Sequence, residues 1–97
     1  MLFKSGPMVM TPGVETIVNS NPNYATELVV CLRRHFSGDW GNVGRSDALL
    51  NDEAVKDGSR ILSEYELGGQ RIWIITDSEI NEDHDRYATT VLLPEEY

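Results

Sequence analysis

The stretch richest in reactive side chains is "DSEINEDHDR", residues 77–86. Asp77, Glu79, Asn81, Asp83 and Asp85 fall at alternate positions, the spacing found in the first half of a calcium-binding loop. Such a loop needs glycine at its sixth position for a sharp turn and a bidentate glutamate at its twelfth. Here those positions hold Glu82 and Ala88. His84 adds a metal ligand but has no second histidine nearby. The pattern therefore predicts a solvated acidic turn, with cation binding or a small metal-dependent enzyme as the alternative.

Cys31 and His35 stand four residues apart in a helical pattern, close enough to meet. A catalytic Cys–His pair also needs oxyanion donors and a group that orients the base, and the sequence nominates neither. Cys31 follows the apolar side of its helix while His35 follows the arginines. Arg33, Arg34, His35 and Arg45 form the one basic cluster, read as favourable charge at a helix end or as an anion contact. The chain contains no GxGxxG, phosphate-binding loop, GxSxG or paired-histidine motif. The expectation is no catalytic residue, no cofactor and no resident metal.

The elements that must position these residues follow from periodicity. "PMVMTPGVETIV" reads as a short strand running into a short helix, with Thr11 as cap and Pro12 at the first helical position. "NPNYATELVVCLRRHF" is the strongest helix, capped by Asn21, with Ala25, Leu28, Val29, Leu32 and Phe36 on one face. "SDALLNDEAVKDG" is a further helix, capped by Ser46 and ended by Gly58, with Leu50 and Ala54 turned inward. Between these two helices, "SGDWGNVGR" makes a corner. Trp40 closes the end of the sheet there, and Asp39 accepts from backbone N–H groups in the turn.

"SRILSEYELGGQRIWIITD" is a hairpin, because Gly68-Gly69 suits a two-residue turn that needs positive φ at both centres. That turn pairs Leu67 with Gln70, Tyr65 with Ile72, Ser63 with Ile74 and Ile61 with Thr76. It also sets Glu66 against Arg71 and Glu64 against Trp73 on a mixed second face. "YATTVLL" supplies a last strand, an edge blunted by Pro94 and the acidic residues after it. The fold class is α+β: a small antiparallel sheet of three to four strands with two main helices on one face, in the order βααβββ, as a single domain over residues 1–97.

Sixteen acidic against eight basic residues give a net charge of −8, which opposes direct binding to nucleic-acid phosphates and favours a basic protein partner. One cysteine excludes an intramolecular disulfide. No apolar run suits a membrane span or a signal peptide, so the expected location is cytoplasmic.

"HFSGDWG", the "RILSEYEL" and "IWIIT" strands and "ATTVLLPEEY" together resemble a family of small bacterial and mobile-element proteins. Its members are commonly labelled plasmid-related protein or type I restriction endonuclease subunit M. The resemblance spans residues 9–97 and implies a fold and a setting, with no catalytic residues to carry over. A methyltransferase subunit needs a cofactor-binding glycine loop and a base-flipping pocket, and the chain holds neither. The connection at residues 77–86 is longer than in the family pattern.

Charge and resemblance together lead to one expectation. The protein is a non-catalytic interaction protein that binds a basic protein partner such as a nucleic-acid-binding effector, as an inhibitor of a host defence system would. Its contact residues are Glu64, Glu66, Asp77, Glu79, Glu82, Asp83 and Asp85. A homo-oligomeric module, pairing through the mixed sheet face or the last strand, is the remaining alternative.

Overall fold

A computed structural model describes the whole chain, Met1–Tyr97. The hairpin falls where the diglycine places it, with strands β2 (Ile61–Leu67) and β3 (Gln70–Thr76) joined through Gly68 and Gly69 at φ of 58° and 77°. Its register matches the expected one pair for pair, from Leu67↔Gln70 to Ile61↔Thr76. Ile61, Ser63, Tyr65, Leu67, Ile72 and Ile74 are buried on one face, as period-two alternation requires. Three helices cover that face: α1 (Pro12–Ser20), α2 (Pro22–Ser37) and α3 (Arg45–Asp57).

The sheet is mixed rather than wholly antiparallel. Strand β4 (Thr89–Leu92) runs antiparallel to β3, and strand β1 (Met8–Met10) pairs parallel with β4, giving the order β1-β4-β3-β2. The last strand is therefore interior, and the edges are β1 and β2. Three apolar residues in a row show no alternation, so β1 carries no sequence signal for its partner or direction. The element order is βαααβββ, with the short helix read after Thr11 standing beside the two main helices counted in the βααβββ order, followed by a 3-10 turn over Pro94–Glu96.

Asn21 caps α2 as expected, its side-chain oxygen accepting from the Asn23 N–H at 2.9 Å. Gly58 ends α3 in the left-handed conformation. Two other caps differ. Thr11 occupies the N-cap of α1, but its hydroxyl donates to Glu96 Oε1 at 2.5 Å. Glu96 Oε2 then accepts the Gly13 N–H at 2.9 Å, so the helix is capped from across the fold. The Thr11 bond, with those from the Leu93 and Gly13 N–H groups, holds the Glu96 carboxyl below its ordinary range. At α3 the N-cap is Gly44, and Ser46 lies inside the first turn without a capping bond.

Inward faces also differ in two places. On α2, Leu28 and Phe36 are buried but Ala25 and Val29 are exposed. On α3, Leu50 is exposed, and Asn51 joins Ala54 in the buried set. Asn51 is buried because it serves the edge of β2. Its amide donates to the Leu62 carbonyl at 2.8 Å and its oxygen accepts the Leu62 N–H at 3.2 Å.

The corner between α2 and α3 covers the next stretch of that edge. Arg34 holds Asp39 at 2.7 Å, and Asp39 Oδ1 accepts the Gly41 N–H at 3.2 Å. The Arg34 hydrogen bonds keep the Asp39 carboxyl below its usual range. Trp40 is buried with Phe3, Phe36, Ala54 and Ile61, and its indole N–H donates to Asp52 at 3.0 Å. The chain then runs beside β2, where the Glu64 N–H donates to the Trp40 carbonyl at 3.2 Å and the Asn42 N–H to the Glu64 carbonyl at 2.8 Å. Gly41 sits at φ 71°, and a Cβ there would fall onto the Glu64 carbonyl and within 2.7 Å of the Tyr65 ring.

Candidate functional site

The seven expected contact carboxylates do not form one surface. Glu64 and Glu66 lie on the helix-free face of β2, where Glu64 accepts the Trp73 indole N–H at 2.9 Å and meets Arg71 at 3.8 Å. Glu66 is exposed. Asp77 follows β3 and lines a shallow groove of about 340 Å³ with Arg60, Ile75, Thr90, Leu92 and Tyr97. Tyr97 packs edge-on against Trp73 at 5.7 Å, so the closing 3-10 turn partly roofs this face.

Glu79, Glu82, Asp83 and Asp85 belong to the β3–β4 connection, which is organised from within. Asn81 accepts the N–H groups of Asp83 at 3.0 Å and Asp85 at 3.1 Å. Its amide donates to Asp85 at 3.0 Å, and Lys4 reaches the same carboxylate at 3.0 Å. These bonds, Asn81 first, keep the Asp85 carboxyl below its ordinary range. Glu79 meets His84 at 3.0 Å and the Arg86 guanidinium at 3.7 Å. No group of three His, Cys, Asp or Glu side chains is placed to hold a metal ion. Glu64, Glu79 and Asp85 are thus engaged internally, and Glu66, Asp77, Glu82 and Asp83 keep free carboxylates.

Arg86 is a structural centre that sequence reading missed. It is 2% exposed, and it donates to the carbonyls of Ser59 at 2.7 Å, Asp77 at 3.1 Å and Ala54 at 3.2 Å. Its guanidinium also lies 5.4 Å over the Phe3 ring. One side chain therefore ties the end of α3, the entry to β2, the exit of β3 and the N-terminal segment. An arginine in a polar loop has no periodic signature that would announce this.

His35 is the second correction. It belongs to the interior, not to a basic surface cluster, and is fully buried. Arg34 is committed to Asp39 and lies over the Tyr65 ring at 4.8 Å, while Arg33 and Arg45 are exposed. The His35 environment is a single hydrogen-bonded relay. The Thr89 hydroxyl donates to the Ser5 carbonyl at 2.8 Å, so its oxygen accepts from Thr76 at 2.8 Å. Thr76 then accepts from His35 Nε2–H at 2.9 Å, which leaves Nδ1 to accept the Ser63 hydroxyl at 2.6 Å. Burial, assisted by the Arg86 charge, pushes the imidazole down to about 3, so it stays neutral.

A serine hydroxyl on a histidine nitrogen has the geometry of a nucleophile and its base. Both residues are nevertheless at 0% exposure, neither lines any of the three principal grooves, and the far nitrogen is held by a hydroxyl rather than a carboxylate. The arrangement ties α2 to β2, β3 and β4. With both ring nitrogens engaged, none is left to activate Cys31, whose thiol is buried and pushed up by burial. The signal for His35 was its spacing of seven from Leu28 and four from Cys31, which continues the buried stripe. No protein-family model matches the chain, and no curated protein or solved structure matches it either.

Proposed function

We propose that the protein is a non-catalytic binding protein that engages a basic protein partner through carboxylates on its helix-free sheet face and the β3–β4 connection. The observation that carries this reading is the set of free carboxylates, Glu66, Asp77, Glu82 and Asp83, in a chain of net charge −8. Unpaired surface carboxylates at such a net charge steer a positively charged partner and repel nucleic acid. A nucleic-acid-binding effector fits best, because its groove is built for phosphates and accepts carboxylates in their place. The resemblance to mobile-element proteins adds a setting, the inhibition of a host defence system.

The test is affinity capture from host lysate with the wild-type chain, followed by binding kinetics on the purified partner. The expected partner is basic, is displaced by a double-stranded DNA competitor, and binds at least about tenfold more weakly to the charge-reversed variant Glu82→Lys/Asp83→Lys, mainly through its on-rate. A captured partner indifferent to both salt and charge reversal overturns the reading.

A further inference from the structure

Strand β1 is an open edge whose own geometry specifies its mate. It bonds to β4 in parallel register, Met8↔Thr89, Val9↔Thr90 and Met10↔Val91, with the Thr89 N–H on the Pro7 carbonyl at 2.9 Å and the Thr11 N–H on the Val91 carbonyl at 3.0 Å. In such a ladder alternate residues turn both backbone groups to the partner. Val9 therefore faces β4, and Met8 and Met10 direct their N–H and C=O groups away from the sheet. All three side chains are exposed, at 58%, 50% and 44% for Met8, Val9 and Met10. On the helix side, Met8 continues into an apolar groove of about 510 Å³ lined by Met1, Val29, Leu32 and Phe36. Its one charged lining residue is Arg33, and no carboxylate reaches it, although the chain carries sixteen.

We infer that this edge pairs with the same edge of a second copy, antiparallel, about a two-fold axis through Val9. Free groups on Met8 and Met10, flanking an inward-bonded Val9, are self-complementary. Met8 pairs with Met10 of the second copy and the reverse, each pair exchanging two N–H···O bonds, while the two Val9 residues face one another as a non-hydrogen-bonded pair. The charge pattern selects the same occupant. A basic partner finds no carboxylate in this groove, whereas a second copy brings a mostly apolar wall and keeps its acidic loop elsewhere. Pro7 and Pro12, without N–H groups, bracket β1, and a three-residue strand closed by a two-fold does not propagate. So short an interface makes the dimer weak and concentration-dependent.

The test combines sedimentation velocity across a concentration series with register-specific cross-linking of the full chain. Wild type is expected to shift from monomer to dimer as concentration rises towards about 1 mM. Met8→Lys/Met10→Lys is expected to abolish the shift while leaving Tm within about 2 °C, because both side chains are exposed. Facing Val9 positions lie about 4.5 Å apart at Cα, within disulfide reach. Val9→Cys should therefore cross-link at least about tenfold faster than Met8→Cys under mild oxidant, with buried Cys31 silent in the wild type. A wild type that stays monomeric throughout, a dimer that survives the double lysine substitution, or equal cross-linking at positions 8 and 9 overturns the inference. The charge-reversal experiment at Glu82 and Asp83 leaves this interface untouched, so the two proposals fail separately.

Discussion

Strand β2 forms one edge of the sheet and β1 the other, and the chain treats them in opposite ways. Along β2, the Asn51 amide satisfies both backbone groups of Leu62, and the Trp40–Asn42 segment satisfies both groups of Glu64. Two separate pieces of chain, one from α3 and one from the corner before it, act as a surrogate fifth strand. Along β1, Met8 and Met10 meet solvent with their backbone groups and side chains alike. An uncovered edge is a template for association, and proteins commonly cover or shorten it. Here one edge is covered with buried, geometry-specific contacts and the other is only kept short. The difference separates a part of the molecule that serves folding from a part free to serve recognition.

The largest expected effect comes from acid, because the His35 relay joins the two edges. It runs from Ser63 on β2 through Thr76 on β3 and Thr89 on β4 to Ser5, just ahead of β1. The folded imidazole is pushed down to about 3 from an ordinary 6.5, so below pH 6.5 the unfolded chain takes up a proton that the folded chain refuses. Stability should be flat above about pH 6.5 and fall by up to about 1.4 kcal/mol per pH unit below it, levelling near the folded value. The depressed carboxyls of Asp39, Asp85 and Glu96 lose their contributions only lower, as pH falls through their own range. Denaturant titrations from pH 8 to 5 therefore isolate the histidine. His35→Gln, which does not titrate, should remove the slope in that window, and amide exchange at Glu64 and Val9 should rise together in wild type.

The two edges also show what sequence reading could reach. The β2–β3 register was readable because a diglycine turn fixes the pairing and alternation fixes the faces, from Ile61 to Thr76. Asn21, Gly58 and Trp40 were readable for the same reason: each answers a local demand of cap or core. Asn51, Glu96, Arg86 and His35 were not, because each makes bonds to backbone or hydroxyl groups distant in sequence that no local pattern encodes. The candidate contact set was half readable. Composition locates the carboxylates, but only geometry shows that Glu64, Glu79 and Asp85 are already partnered.

The next effect in size breaks the covered edge alone. Gly41→Ala places a methyl group on the Glu64 carbonyl at a left-handed backbone position. Neither the carbonyl nor the Tyr65 ring has room to retreat without lifting the corner from β2. A loss of about 3 kcal/mol is expected by chemical denaturation, from strain and overpacking together. Amide exchange should accelerate at Glu64 and stay unchanged at Val9, since β1 takes no support from the corner. Equal acceleration at both positions would dissolve the distinction between the edges.

Asn51→Leu is the smaller and more discriminating change. It keeps roughly the volume of a residue that is 5% exposed but strips the Leu62 N–H and C=O of their partners. Two unmatched backbone groups at a partly wet edge cost about 2 kcal/mol, less than if they were sealed from water. Met10→Lys on β1 should cost almost nothing, because its side chain and backbone groups are already in solvent. The stability difference between these two substitutions measures directly how unequally the edges are invested in the fold. Association provides the second readout. Uncovering Leu62 gives β2 the open groups that β1 already has, so Asn51→Leu should self-associate more than wild type, and adding Met8→Lys/Met10→Lys should not suppress the excess. Suppression by the β1 lysines would instead place all association at β1 and show that the cover over β2 matters to folding alone.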